Sequence, residues 1–137
     1  MDVESIEFYE DRLDSLLRYI HGVDEKVSKL LKGMEGTAFA IAHPSLTRFA
    51  EQYGLKQFCI EQAGKEPTPQ SMLELVRKCR ENNVKVILVQ PEFGKQNAEA
   101  LAREIGGTIV EINPLTAEWG KEMIRIAQVL RDGRETD

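Results

Sequence analysis

The chain has 137 residues, a formal net charge of −5 at pH 7 and 30% charged residues. This length is typical of one domain whose core is large enough to fold without metal or disulfide crosslinks. The acidic balance argues against a nucleic-acid-binding protein, because such proteins concentrate Lys and Arg on one surface. The longest apolar runs, such as residues 38–42, fall far short of the roughly 18 residues that a membrane-spanning helix requires.

Residues 1–34 have the pattern of one long helix. Apolar residues recur there at steps of three and four, at Leu13, Leu16, Leu17, Ile20, Val23, Val27, Leu30, Leu31 and Met34. Such a helix would be roughly 45 Å long, which exceeds the roughly 30 Å width of a small domain. We therefore expect part of it to project beyond the domain. The alternative is two helices that are broken at Gly22.

From residue 37 onward, apolar strands alternate with amphipathic helices. Strands are predicted at 37–42, 57–61, 84–89 and 108–112, and helices at 44–53, 70–82, 95–105 and 117–130. This alternation is typical of right-handed crossovers between parallel strands. The predicted fold class is α/β, a three-layer (αβα) lobe with a four-stranded parallel sheet. The long helix, residues 1–35, precedes the lobe, residues 36–137.

Polar residues that follow the predicted strands are the candidate ligand-binding groups, because ligands bind beyond the carboxyl ends of parallel strands. They are His43, Glu61, Glu92 and Asn113. Their nitrogen and oxygen atoms are possible metal ligands, but zinc needs about four, and one histidine is not enough. Taken singly, each is equally consistent with a loop hydrogen bond or a solvated charge. Pro44 predicts a helix that begins directly after His43.

An ordered set of short motifs resembles the C-terminal half of the zinc/manganese-type solute-binding proteins of metal ABC transporters. The resemblance runs from Tyr9 to Leu130. Its motifs are LLKG at 30–33, a strand ending in His43, FAEQYGL at 49–55, EPTP at 66–69, LEL at 73–75, NVKVILVQPEF at 83–93, AEALA at 98–102 and INPL at 112–115. No single motif is specific, but the ordered set is.

This resemblance implies a protein of two α/β lobes joined by one long backbone helix, with a metal ion in the cleft between them. Residues 1–35 would be the interlobe helix, and the N-terminal lobe with its own two ligands would be a partner outside this chain. The C-terminal lobe of the family supplies two further ligands, and His43 matches the first by motif. Asn113 stands where the family usually has Asp, so Glu61 is the substitute ligand that we consider.

The implied function is the capture of Zn²⁺ or Mn²⁺ for uptake through an ABC permease, without catalysis. The isolated lobe would bind metal weakly or not at all. Two alternatives stay open, a metal-independent interaction module of the same fold and, less favoured, a small-ligand-binding α/β domain. The full-length protein would be periplasmic or extracellular and membrane-anchored, although the acidic N-terminus of this chain has no features of a signal sequence.

Two expectations follow from the implied export and the implied missing lobe. Oxidising conditions would permit a Cys59–Cys79 disulfide, and the alternative is two free buried thiols. Without the other lobe, the apolar side chains at the start of the long helix would be uncovered; these are Ile6, Phe8, Leu13 and Leu16. Large exposed apolar patches usually bind a partner, so we expect self-association through this helix.

Overall fold

The computed structural model describes residues 3–92 and 95–133. Its elements, in chain order, are α1 (Val3–Leu30), β1 (Ala38–Ile41), α2 (Thr47–Tyr53), β2 (Lys56–Cys59), α3 (Pro69–Glu81), β3 (Val86–Val89), α4 (Gln96–Ile105), β4 (Thr108–Glu111) and α5 (Trp119–Asp132). Residues 1–2, at the start of the predicted long helix, and residues 134–137, at the end of the predicted lobe, lie outside the described residues.

The four strands form one parallel sheet in the order β2-β1-β3-β4. Alternate residues of each strand face opposite layers of helices. Phe39 and Ile41 of β1 pack in a core with α1, α2 and α5, whereas Ala38 and Ala40 pack in a second core with α3 and α4. This arrangement confirms the predicted three-layer α/β fold with a four-stranded parallel sheet.

The first helix is a single element, so the alternative of two helices broken at Gly22 is wrong. Its 28 residues correspond to about 42 Å. Only Val23 and Val27 within it are buried, together with Leu31 just beyond its end. The helix therefore joins the core through its last third, and its N-terminal part projects from the lobe as expected. None of the helices in the described part of the chain is long and apolar enough to span a membrane.

Hydrogen bonds fix the angle at which α1 leaves the lobe. The hydroxyl of Tyr19 accepts a hydrogen bond from the backbone N–H of Gly120, at 2.9 Å, in the first turn of α5. One turn further along α1, the carboxylate of Asp24 accepts bonds from the Tyr53 hydroxyl at 2.6 Å and from the Gln52 amide at 2.8 Å. Both neighbouring helices, α5 and α2, are thus bonded to α1.

The apolar side chains at the start of α1 are uncovered, which confirms that expectation. Ile6, Phe8, Leu13 and Leu16 are between 41% and 56% exposed. Apolar surface of this extent on one projecting helix is characteristic of a surface that another protein segment covers. The expected self-association itself stays a prediction.

Both cysteines are free thiols. Cys59 packs against the core that contains α1 and α5, and Cys79 lies fully buried in the core that contains α3 and α4. The sheet separates these two cores. The disulfide that the implied export would permit is therefore not formed. The alternative of two free thiols is the one that the fold adopts, although only Cys79 is fully buried and Cys59 is partly buried.

Candidate metal site

The site begins at His43, which follows β1 at the carboxyl edge of the sheet. The sequence predicted that α2 would begin directly after it, and this is wrong: α2 begins at Thr47, with Leu46 as its N-cap. A tight turn intervenes, in which the backbone N–H of Ser45 donates to the carbonyl of His43 at 2.7 Å. The turn lets Leu46 enter the core, where it is only 3% exposed.

His43 and Glu61 are brought together by the pairing of β1 with β2. Ile41 pairs with Cys59, so two residues further on the same register sets His43 beside Glu61. The ladder continues this far, because the backbone N–H of Glu61 donates to the carbonyl of Ala42 at 3.1 Å. Their side chains are in contact, with Nδ1 of His43 3.0 Å from Oε2 of Glu61.

This contact determines which ring nitrogen of His43 is suited to a metal. An ionised carboxylate only accepts hydrogen bonds, so Nδ1 of the imidazole carries the proton that it donates to Glu61. In the neutral ring the lone pair is then on Nε2. Metal-binding histidines characteristically donate their other ring N–H to a carboxylate, which fixes the ring and increases its basicity as a ligand. Glu61 is therefore placed to orient His43.

A cavity of about 520 Å³ opens beside His43, between α1, α2 and α5. Most of its lining is apolar, including Val27, Phe49 and Trp119. Its polar lining residues are Asp24, His43, Ser45, Arg48, Gln52, Tyr53 and Gln90. Ser45 and Gln90 line the same cavity, and the Oγ of Ser45 and the Oε1 of Gln90 are buried without a hydrogen-bond partner among the described residues.

Asn113 and Glu92 are placed differently. Asn113 is exposed and lines a separate groove with Glu122 and Arg125, where its backbone N–H donates to Glu122. Partial burial raises the pKa of Glu122, but hydrogen bonds from Arg125 and from this N–H outweigh burial and hold the pKa below its ordinary value. Glu92 is exposed in the turn after β3. Neither residue lines the cavity beside His43.

The register explains which strand-end residues meet. Ile41 also pairs with Leu88 of β3, so the position of β3 beside His43 is Gln90 rather than Glu92. On β4 the corresponding position is Ile112, since Val89 pairs with Glu111. Sequence reasoning did not select Gln90 as a candidate ligand because it chose Glu92 at the end of the third strand, whereas the register selects one position on each strand.

These residues make up only part of a zinc site. Zinc takes about four nitrogen, oxygen or sulfur ligands. Within residues 3–92 and 95–133, no group of three or more His, Cys, Asp or Glu side chains is arranged to hold a metal ion. His43 with its carboxylate partner is a candidate for one oriented nitrogen ligand, and a complete zinc site would need further ligands.

Comparison with known proteins gives a family match over nearly the whole chain. The family model that is described as zinc-uptake complex component A, periplasmic (ZnuA) matches residues 1–131. The high-affinity zinc uptake system protein ZnuA of Bacillus subtilis is 29% identical over 116 residues, which are 83% of this chain and 36% of that protein. A putative metal-binding protein of Chlamydia muridarum is 24% identical over 130 residues, 94% of this chain and 47% of its own length.

Solved structures agree with this match. A crystal structure of ZnuA superimposes with a TM-score of 0.89 at 29% identity. The matched region is 96% of this chain and 51% of that protein. A zinc-bound deletion mutant of ZnuA superimposes with a TM-score of 0.87 at 28% identity, over 99% of this chain and 52% of that protein. The chain thus spans about half the length of these structures, and about a third to a half of the curated relatives.

Proposed function

Because this chain belongs to the family of zinc-uptake complex component A, we propose that it is the C-terminal lobe and connecting helix of a receptor that captures Zn²⁺ for uptake. The receptor would bind the ion and pass it to an ABC permease, in the periplasm or at the cell surface, and perform no chemistry on it. Zn²⁺ is preferred over Mn²⁺ because a histidine nitrogen is the oriented ligand, and Mn²⁺ is better suited to oxygen ligands.

The contact between His43 and Glu61 is the observation that carries this proposal. A carboxylate that holds Nδ1 of a histidine at 3.0 Å prepares Nε2 as a metal ligand. The pair lies at the carboxyl edge of a parallel sheet, where ligands of such folds bind. In this assignment His43 is the ligand, and Glu61 acts mainly by orienting it. Direct ligation by Glu61 or Asn113 is the weaker possibility.

The rest of the site would come from an N-terminal lobe. We propose that residues 1–35 are the connecting helix and that residues 36–137 are the lobe, with the exposed apolar side chains of α1 covered by the partner lobe. A second copy of this chain would cover the same surface when the partner lobe is missing. Because His43 is only one of the roughly four ligands that zinc takes, this chain should bind Zn²⁺ weakly.

Calorimetric titration with Zn²⁺ tests the ligand assignment. The chain has two histidines, and His21 lies exposed on α1 near Glu25, at 3.3 Å. The titration should therefore be made on a His21→Ala background, so that this second imidazole contributes nothing. We expect weak binding that His43→Ala abolishes, and weaker binding of Mn²⁺ than of Zn²⁺. Binding of Zn²⁺ that survives His43→Ala would contradict the assignment.

A metal-independent interaction module of the same fold is the second candidate. The position of Asn113 favours it, because Asn113 lines a groove other than the one beside His43. In that case the His21→Ala chain would bind no Zn²⁺ at all, and Asn113→Asp would not create affinity, because the new carboxylate would lie in the other groove. The receptor proposal predicts instead that affinity depends on His43 and already exists without this substitution.

A further inference from the structure

Gln90 has an environment that its own lobe does not explain. It is 7% exposed, and its side-chain oxygen Oε1 has no hydrogen-bond partner among the described residues. A buried acceptor without a partner destabilises a fold. Such groups are uncommon in folded proteins and often mark a place where a water molecule or an ion binds.

The location of Gln90 connects it with His43. The pairing of Ile41 with Leu88 sets Gln90 and His43 beside each other on adjacent strands, and both residues line the cavity of about 520 Å³. Ser45, whose Oγ is likewise buried and unpartnered, lines it as well. Ser45 and Gln90 thus each bring a buried polar atom without a partner among the described residues to the cavity that His43 also lines.

We propose that Gln90 is a further binding residue of this site, whose amide oxygen accepts a hydrogen bond from water carried by the cation at His43. This inference rests on the proposed function. This chain supplies only part of the roughly four ligands that zinc takes, so water completes the coordination shell. Water on a cation is a strong hydrogen-bond donor, and hydrogen bonds that involve an ionic group are about twice as strong as neutral ones.

Gln57 offers a matched control. Its Oε1 is also buried and without a partner among the described residues. Gln57 lies on β2, and Gln90 directly follows β3. The Nε2 of Gln57 donates to the hydroxyl of Thr47 at 3.0 Å, and Gln57 does not line the cavity beside His43. Replacing either glutamine with methionine removes a buried amide oxygen, but only Gln90 lines the cavity beside His43.

The experiment is a titration of the His21→Ala chain with Zn²⁺ alone, followed by NMR of the His43 imidazole. Gln90→Met should weaken binding about tenfold, the lower end of what loss of an outer-shell partner costs. The melting temperature of the Gln90→Met chain without metal should equal or exceed that of the His21→Ala background, because an unsatisfied acceptor has been removed. Gln90→Glu, which keeps the shape and adds a charge, should strengthen binding. Gln57→Met should leave the affinity unchanged.

Two results would overturn the inference. One is Gln90→Met binding Zn²⁺ as tightly as the background, and the other is Gln90→Glu failing to strengthen binding. Either result, with His43 still responding to Zn²⁺, removes the role of Gln90 and leaves the proposed function intact. A background chain in which His43 does not respond to Zn²⁺ contradicts the proposed function itself, so the two failures are distinguishable.

Discussion

Gly120 is the place where one added methyl group should loosen the connecting helix from the lobe. It lies in the first turn of α5 and is buried against α1. A Cβ at this position would lie 2.3 Å from the hydroxyl oxygen of Tyr19 and 2.7 Å from Cγ2 of Val23. Atoms cannot approach so closely, so Gly120→Ala must displace α1, or at least the side chains through which it packs.

The net cost follows from three contributions. Overpacking a well-packed core costs about 1–3 kcal/mol. Loss of the hydrogen bond from the Gly120 N–H to Tyr19, now 2.9 Å long, adds about 0.5–1.5 kcal/mol. Alanine is a better helix former than glycine, and this difference stabilises the variant by up to about 1 kcal/mol. We therefore expect Gly120→Ala to lower the free energy of unfolding by about 0.5–4.5 kcal/mol.

Urea denaturation of the chain measures this change, and Gly22→Ala is its matched control. Gly22 lies within α1, and a Cβ there would have no atom within 4 Å. The control substitution should therefore stabilise the chain by up to about 1 kcal/mol through helix propensity alone. The two glycine-to-alanine changes, both in helices, should thus have opposite signs.

A Gly120→Ala chain as stable as the parent, or more stable, would refute this reasoning. A second arm places the substitution on a Tyr19→Ala background, which removes the ring that the new methyl group meets. The cost of Gly120→Ala should shrink there, because residues in contact are not independent. An unchanged cost would show that Tyr19 is not the group that the methyl displaces.

Three further predictions concern the thiols, the α1–α2 contact and the exposed helix. Burial raises the pKa of Cys79 to about 11, so alkylation followed by mass spectrometry should modify it only on unfolding, and mild oxidation should not join it to Cys59. Tyr53→Phe, which loses the 2.6 Å bond to Asp24, should destabilise the chain by about 1–2 kcal/mol at neutral pH. Burial, and then the neighbouring Asp24, raises the pKa of Tyr53. The parent chain should therefore lose stability as the pH rises above about 10, and the Tyr53→Phe chain should lose less stability over the same range. Equal losses in denaturation curves would contradict this. Leu16→Glu should convert self-associated chain to monomer in sedimentation velocity, and a parent that is monomeric at high concentration would refute association through α1.

Much of the fold could be predicted from the sequence, because each strand is a short apolar run and each helix has an apolar face. The projection of α1 followed from its length alone. The start of α2 was predicted wrongly, since the preference of Pro44 for a first helical turn was outweighed by the burial of Leu46, which required a turn first. Local preferences of this kind yield to core packing.

The site was predicted in part, and strand register accounts for the difference. His43 and Glu61 both follow the last paired residues by two positions, so their proximity is a consequence of the register. Glu92 and Asn113 are off the corresponding positions, which Gln90 and Ile112 occupy. Because side chains alternate along a strand, an error of one residue in register changes which group faces the site, and the sequence does not specify register to that accuracy.

The most direct test of the account is the state of the two ring nitrogens of His43 during addition of Zn²⁺. Nitrogen-15 NMR of the His21→Ala chain distinguishes Nδ1 from Nε2. We expect the Nε2 resonance to shift on binding, while Nδ1 keeps its proton and its bond to Glu61. His43 resonances that remain unchanged at saturating Zn²⁺, or a shift that shows binding through Nδ1, would contradict the claim that this residue is a metal ligand oriented by Glu61.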